Sequence, residues 1–161
     1  MAEIDKSLTA DEIASVILAL NNGARIADVC GATPEMLEGL YGLAYNLYGA
    51  ASYKDAETVF KALCLYDHKD VRFWMGLGGC RQALGDYANA IEAYTMAGMA
   101  QQLSSPEPFL HAVRCYLELG DRENAISGLR GVLELGDPAV PAHAECHAKA
   151  RALLELLEKQ A

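Results

Sequence analysis

A chain of 161 residues with 52% hydrophobic content is long enough to bury one core and too apolar to be a disordered tail. A net charge of −9, with no cluster of Lys or Arg, excludes the phosphate backbone as a partner, so no nucleic acid is expected. The five cysteines (Cys30, Cys64, Cys80, Cys115 and Cys146) are scattered, odd in number and never form a CxxC pair, which points to a reducing compartment.

Taken in chain order, Met1–Lys6 is polar and no apolar run of spanning length follows. Neither a signal peptide nor membrane insertion is expected, and the chain reads as cytoplasmic. Thr9 to Glu12 forms a capping box, and Ile13, Val16, Ile17 and Leu20 then recur at helical spacing, which predicts an amphipathic helix over 10–21. Asn21-Asn22-Gly23 closes it. Residues 24–32 read as a connector with one helical turn. The apolar stripe of this front segment, residues 1–33, requires a partner, either the repeats that follow or a second copy of the chain.

Thr33-Pro34 supplies an N-cap and a proline at the first helical position. Helices are predicted near 34–49 and 53–66, 71–84 and 87–100, and 107–119 and 122–135, the last pair starting at Pro106 and Pro108. Gly85-Asp86 and Gly120-Asp121 are the turns inside the second and third pairs, and Ala51-Ser52 replaces them in the first. Asp137-Pro138 and Pro141 close the array. A last helix over 142–160 carries Leu153, Leu154, Leu156 and Leu157 and caps the end, within a segment of residues 137–161.

The three pairs are copies of one another. Residues Trp74, Leu77, Gly78, Tyr87, Ala90 and Tyr94 fall on Leu40, Leu43, Ala44, Tyr53, Ala56 and Phe60 at a shift of 34 residues. A shift of 35 the other way gives Phe109, Ala112, Val113, Gly120, Ala125, Leu129 and Val132, with Tyr116 beside them. This period and order of large and small residues resembles the tetratricopeptide repeat. It implies an all-α fold: three repeats over 34–136 in a right-handed superhelix, with an N-terminal helix and a C-terminal capping helix.

In such repeats the first helix of each pair lines the concave side. Repeat one then packs through Leu40, Leu43, Ala44 and Leu47 and turns Glu38, Tyr41, Tyr45 and Tyr48 into the groove. Three tyrosines at i, i+4 and i+7 make a second stripe on a helix whose apolar stripe is already complete. Tyrosine offers a large contact area at little entropy cost and keeps a hydroxyl for solvent or a peptide carbonyl. Repeat two adds Arg72, Met75, Gly79 and Gln82, and repeat three adds Glu107, Leu110, Arg114 and Leu117, with His111 beside them. Gly79 would let a ligand backbone approach closely. The expected peptide-binding set is therefore Tyr41, Tyr45, Tyr48, Met75, Gly79, Gln82, Leu110, His111, Arg114 and Leu117.

The runs Leu40-Tyr41 with Leu43-Ala44, Tyr53-Lys54-Asp55-Ala56, Phe60-Lys61-Ala62-Leu63-Cys64, Asp67-His68, and Arg72-Phe73-Trp74-Met75-Gly76-Leu77-Gly78-Gly79-Cys80-Arg81-Gln82-Ala83 are more specific than the repeat pattern. They resemble the class II chaperones of bacterial type III secretion. The resemblance runs from about residue 10 to the end of repeat three, is densest in 40–87, and weakens beyond Gly136. It implies a cytosolic chaperone whose groove takes an extended segment, with Pro and Leu anchors, of the hydrophobic translocator proteins that later form a pore in a host membrane. It also implies a homodimer made with the N-terminal helix, which places Ile13, Val16, Ile17 and Leu20 at that interface.

Other constellations carry less. His143, Cys146 and His147 share one face of the last helix, but zinc needs a fourth ligand and a fixed second shell, so no metal is expected. No Gly-rich phosphate loop and no Ser/His/Asp or Cys/His set is present, and neither a cofactor nor an enzyme is expected. The alternative function is a scaffold or co-chaperone that grips the C-terminal peptide of a folded partner. The carboxylate-clamp positions of such proteins hold Tyr41, Tyr45, Gly76, Glu107 and His111 here, without the cationic donors.

Overall fold

The computed structural model describes residues 9–159, so the reading of Met1–Lys6 concerns residues outside it. Among the described residues there are nine helices and no strand: α1 (Ala10–Asn21), α2 (Ile26–Cys30), α3 (Pro34–Gly49), α4 (Tyr53–Tyr66), α5 (Val71–Ala83), α6 (Tyr87–Ala100), α7 (Glu107–Glu118), α8 (Arg122–Glu134) and α9 (Pro141–Lys159). None of them is long and apolar enough to cross a membrane.

The helices start and stop where the local chemistry directs. Glu12 N–H donates to Thr9 Oγ1 at 3.3 Å and Thr9 N–H donates back to the Glu12 carboxylate at 2.8 Å, closing the capping box of α1. Met36 N–H donates to Thr33 Oγ1 at 3.3 Å ahead of Pro34. In repeats two and three, Gly85 (φ +78°) and Gly120 (φ +72°) take the left-handed conformation that ends the first helix. Asp86 and Asp121 then accept from Asn89 N–H and Asn124 N–H to start the second. Repeat one makes the same turn with Ala51 at φ +59°, which costs on the order of 1 kcal/mol. Its Ser52 bonds Asp55 rather than capping a backbone amide.

From α3 onward each helix packs chiefly on its neighbours in the chain, so three two-helix repeats stack in order and α9 follows as the next layer. Aromatic rings seated on glycines set how closely they stack. A Cβ built on Gly76 of α5 would lie only 2.2 Å from the Phe60 ring of α4, and one on Gly98 of α6 only 2.3 Å from the Phe109 ring of α7. One on Gly78 would lie 2.7 Å from Tyr94 of α6. Around these contacts the core fills with Leu63, Phe73, Leu77, Val113, Leu129 and Val132, all buried. Cys64, Cys80 and Cys115 belong to it, and burial pushes their thiols up to about 12, 11 and 11, which leaves them protonated and inert at neutral pH.

The two ends differ from the middle. No residue of α1 is buried, and its main contacts are with α2 rather than with repeat one. Ile13, Ile17 and Leu20 are exposed and Val16 is half-buried. Leu43, expected to pack inside repeat one, is 48% exposed, because no earlier repeat lies against α3 as α4 lies against α5. The front segment is held instead through the loop after α4. Arg25 pairs with the buried Asp67 at 2.7 Å, and Lys69 Nζ donates to the Gly23 carbonyl at 2.5 Å. At the far end Cys146, His147 and Ala150 bury α9 against repeat three, with Leu153, Leu154 and Leu157 partly covered and Leu156 exposed.

Gly76→Ala is expected to lower stability in urea by about 1–3 kcal/mol, because the Phe60 ring must move. A Cβ on Gly79 meets nothing nearer than Tyr48 at 3.5 Å. Gly79→Ala should therefore leave stability unchanged or raise it by up to about 1 kcal/mol through helix propensity. Equal losses in both variants would show that close approach is not what Gly76 supplies.

Candidate functional site

The concave face holds a trough of about 470 Å³ built from three helices. Tyr41, Tyr45 and Tyr48 of α3 form one wall, Val71, Arg72, Met75, Gly76 and Gly79 of α5 the floor, and Glu107 and His111 of α7 the other wall. Phe60 and Tyr94 reach into it from α4 and α6, the helices behind.

Its aromatic groups are fixed to different degrees. Tyr41 is half-buried, its ring edge-on to Phe60 at 6.1 Å and tilted on Phe73 at 5.9 Å. Tyr45 touches Tyr41 at 6.4 Å but is 65% exposed, so it has the most surface to lose on binding. Tyr48 lies edge-on to Tyr53 at 5.2 Å, and burial raises its phenol pKa. Arg72 closes the end of the trough nearest Tyr41. Its guanidinium lies 4.8 Å over the Tyr41 ring and pairs with Glu38 at 2.5 Å and Asp70 at 2.7 Å, which leaves it committed on both sides.

The polar groups at the floor are arranged by Tyr94. Its hydroxyl, the one polar atom of a buried side chain, donates to Gln82 Oε1 at 2.7 Å. Gln82 therefore keeps its amide N–H groups for whatever lies above. His111 stacks on the Tyr94 ring at 5.1 Å, and its pKa is lowered, first by burial and then by the charge of Arg114. A neutral imidazole suits an apolar trough.

Of the residues singled out from the sequence, Tyr41, Tyr45, Tyr48, Met75, Gly79 and His111 line this one trough. Gln82 and Arg114 line an adjoining recess that shares Tyr48, Gly79, Tyr94 and His111 with it. Leu110 and Leu117 are placed elsewhere. Leu110 is 4% exposed in the core between α7, α8 and α9 and reaches only the recess between α7 and α9, and Leu117 packs against the same cluster. The reason is α9, which lies on repeat three as a further layer and covers side chains that a terminal repeat would leave open. Phe60 and Tyr94, read from the sequence only as repeat-register positions, and Gly76, read only as a clamp position without a cationic donor, also line the trough. The signal for them was a second-helix aromatic facing a glycine, since a ring seated on bare backbone extends past it to the other side.

His143 and His147 have structural tasks. Asp137 N–H donates to His143 Nδ1 at 3.0 Å and His147 Nε2 donates to the Leu135 carbonyl at 2.8 Å, so both close the turn into α9. No group of three metal-binding side chains is gathered among the described residues.

The tetratricopeptide repeat family model matches residues 37–70. Low calcium response locus protein H of Yersinia pestis is 44% identical over 110 residues, which is 68% of this chain and 65% of that protein. One chain of a type III secretion system complex from Aeromonas hydrophila is 37% identical, with TM-score 0.83 over 91% of this chain and 97% of that one. The type III secretion translocator chaperone SycD of Yersinia enterocolitica is 39% identical, with TM-score 0.73 over 83% of this chain and 98% of its own. This chain belongs to the type III secretion translocator chaperone family. SycD has also been solved with a peptide of the translocator YopD (38% identical, TM-score 0.72, 80% and 96% covered) and as an alternative dimer (39%, 0.71, 80% and 96%).

His111 is expected to make the fold sensitive to acid. Its folded pKa lies below the ordinary 6.5, so the unfolded chain takes up its proton first as pH falls. The stability held above about pH 6.5 is lost below it until the folded imidazole protonates too. Urea unfolding between about pH 7 and 5 is expected to show a steeper loss for wild type than for His111→Gln. Parallel curves would remove His111 as the cause.

Proposed function

We propose that this chain is a cytoplasmic bacterial chaperone that holds an extended hydrophobic segment of the type III secretion translocator proteins in its concave trough, keeping them soluble and competent for export. The observation that carries this reading is the trough itself: an open channel walled by tyrosines, floored by glycine backbone, with its end guanidinium already neutralised. Such a lining favours an apolar peptide over a charged one. The SycD structure with a translocator peptide supports the same use of a related fold. A client that later inserts into a membrane exposes surface that aggregates in water, and masking one segment keeps it unfolded and soluble.

Within this reading Tyr45 is the chief anchor and Gly79 the point where the client backbone crosses α5. Peptides tiled across the translocator proteins of the same genome would be titrated against wild type, Tyr45→Ala, Gly79→Ala and the α6 control Glu92→Ala, after a check of helicity. Tyr45→Ala is expected to lose about 2 kcal/mol or more, roughly thirtyfold in affinity. Gly79→Ala should weaken binding while folding normally, and Glu92→Ala should bind as wild type. Equal affinities throughout would place the site elsewhere.

We also propose that residues 1–33 serve homodimerisation. The open stripe of Ile13, Val16, Ile17 and Leu20 on α1 supports this, since a helix with no buried residue gains little from its own chain. Light scattering at micromolar concentration should give a dimer for wild type and a monomer for Ile13→Glu combined with Ile17→Glu. A monomeric wild type, or a variant dimer of undiminished strength, would end this proposal.

A further inference from the structure

The trough does not stop at its apolar walls. A recess of about 420 Å³ between α7 and α9 shares Glu107 and His111 with it. A second recess, about 400 Å³, opens between α5, α6 and α7 and shares Tyr48, Gly79, Tyr94 and His111. Arg114 lines both recesses but not the trough. The two recesses thus meet at one guanidinium, immediately beyond the apolar channel.

The charges around that point are not equivalent. Lys149 is engaged with Glu145 at 2.6 Å. Arg72 is held by Glu38 and Asp70, and Arg81 pairs with Glu57. Arg114 is exposed and, among the described residues, forms no ion pair, although Glu118 lies one turn on and lines the same recess. A chain of net charge −9 thus keeps an uncommitted cation at the continuation of its groove. Glu107, Glu118 and Glu145 also line these recesses, so an incoming carboxylate is repelled wherever Arg114 does not hold it.

We infer that Arg114 is a carboxylate subsite: an Asp or Glu side chain of the bound segment, just beyond the residues that fill the trough, pairs with its guanidinium. This rests on the trough being the client site and names the next element that the groove reads. The planar fork of arginine matches a carboxylate with two parallel hydrogen bonds, which a peptide carbonyl cannot use. Arg114 lies three residues past His111, about one helical turn or 5 Å. An extended chain covers that distance in about two residues, so the acid belongs close to the last apolar anchor. Flanking glutamates then give register: the peptide sits with its acid on Arg114 or meets repulsion.

The test uses the tightest peptide of the tiling, acetylated and amidated at its ends so that only side-chain carboxylates respond. Each Asp or Glu is changed in turn to its amide and titrated against wild type, Arg114→Gln and Arg114→Lys. At one position the amide is expected to weaken binding to wild type about three- to fivefold, with the difference shrinking in high salt. On Arg114→Gln the difference disappears, and on Arg114→Lys part of it returns. Tyr45→Ala weakens acid and amide peptides by the same factor, because it acts in the trough. If no amide change separates wild type from Arg114→Gln while Tyr45→Ala still weakens binding, the trough stands and the subsite falls. A tightest peptide with no acidic residue likewise overturns the subsite and leaves the trough in place. If no peptide binds at all, the trough reading fails and the subsite with it.

Discussion

The contact on which the concave face depends is the Phe60 ring against the bare backbone of Gly76. It lets α5 lie on α4 with only that ring between them at this point, so the ring of a second helix reaches the side that the first helices enclose. The same device recurs at Gly78 beneath Tyr94 and at Gly98 beneath Phe109. Each glycine gives up helix propensity, about 1 kcal/mol, and the packing of a buried ring offsets it. The floor of the trough is therefore the reverse side of the core. Whatever moves Phe60 or Tyr94 for the sake of stability also reshapes the surface that a client would meet.

Gly79 shows the contrast. It is one position from Gly78 in the same helix, yet nothing crowds it, so packing gives no reason for its lack of a side chain. Its bare backbone faces the trough, where a ligand backbone could approach closely. Tyr45 is its counterpart on the α3 wall, a large ring left mostly in water. Between them, Tyr94 and Gln82 supply an oriented donor. Apolar area for affinity and a few fixed polar groups for orientation are what an extended peptide needs.

Electrostatics divides the face in two. At the end nearest Tyr41, two carboxylates and an aromatic ring engage Arg72, so its guanidinium is already committed. Beyond His111 the lining gains Arg114, which forms no ion pair among the described residues, and the recesses there differ from the trough in what they can accept. His111 stands at the join, stacked on Tyr94 and kept neutral by burial. The fold gains this polarity along the groove simply by stacking repeats whose first helices carry different side chains at equivalent positions.

Much of this was legible in the chain alone. The helix bounds follow from local signals, such as Thr9, Thr33, Gly85-Asp86 and Gly120-Asp121, whose effect is confined to a turn or two. The repeat register placed Tyr41, Tyr45 and Tyr48 on one face because helical spacing is a property of sequence. What only the tertiary structure decided is which neighbour each face meets. Leu43 is exposed for want of an earlier repeat, while Leu110 and Leu117 are taken into the core because α9 adds a layer at the other end. Phe60 and Tyr94 serve core and groove at once, since a ring on a glycine is long enough to reach both. A repeat pattern states what each copy has in common. The ends of the stack, and the depth to which a side chain penetrates it, depend on contacts between residues far apart in the chain.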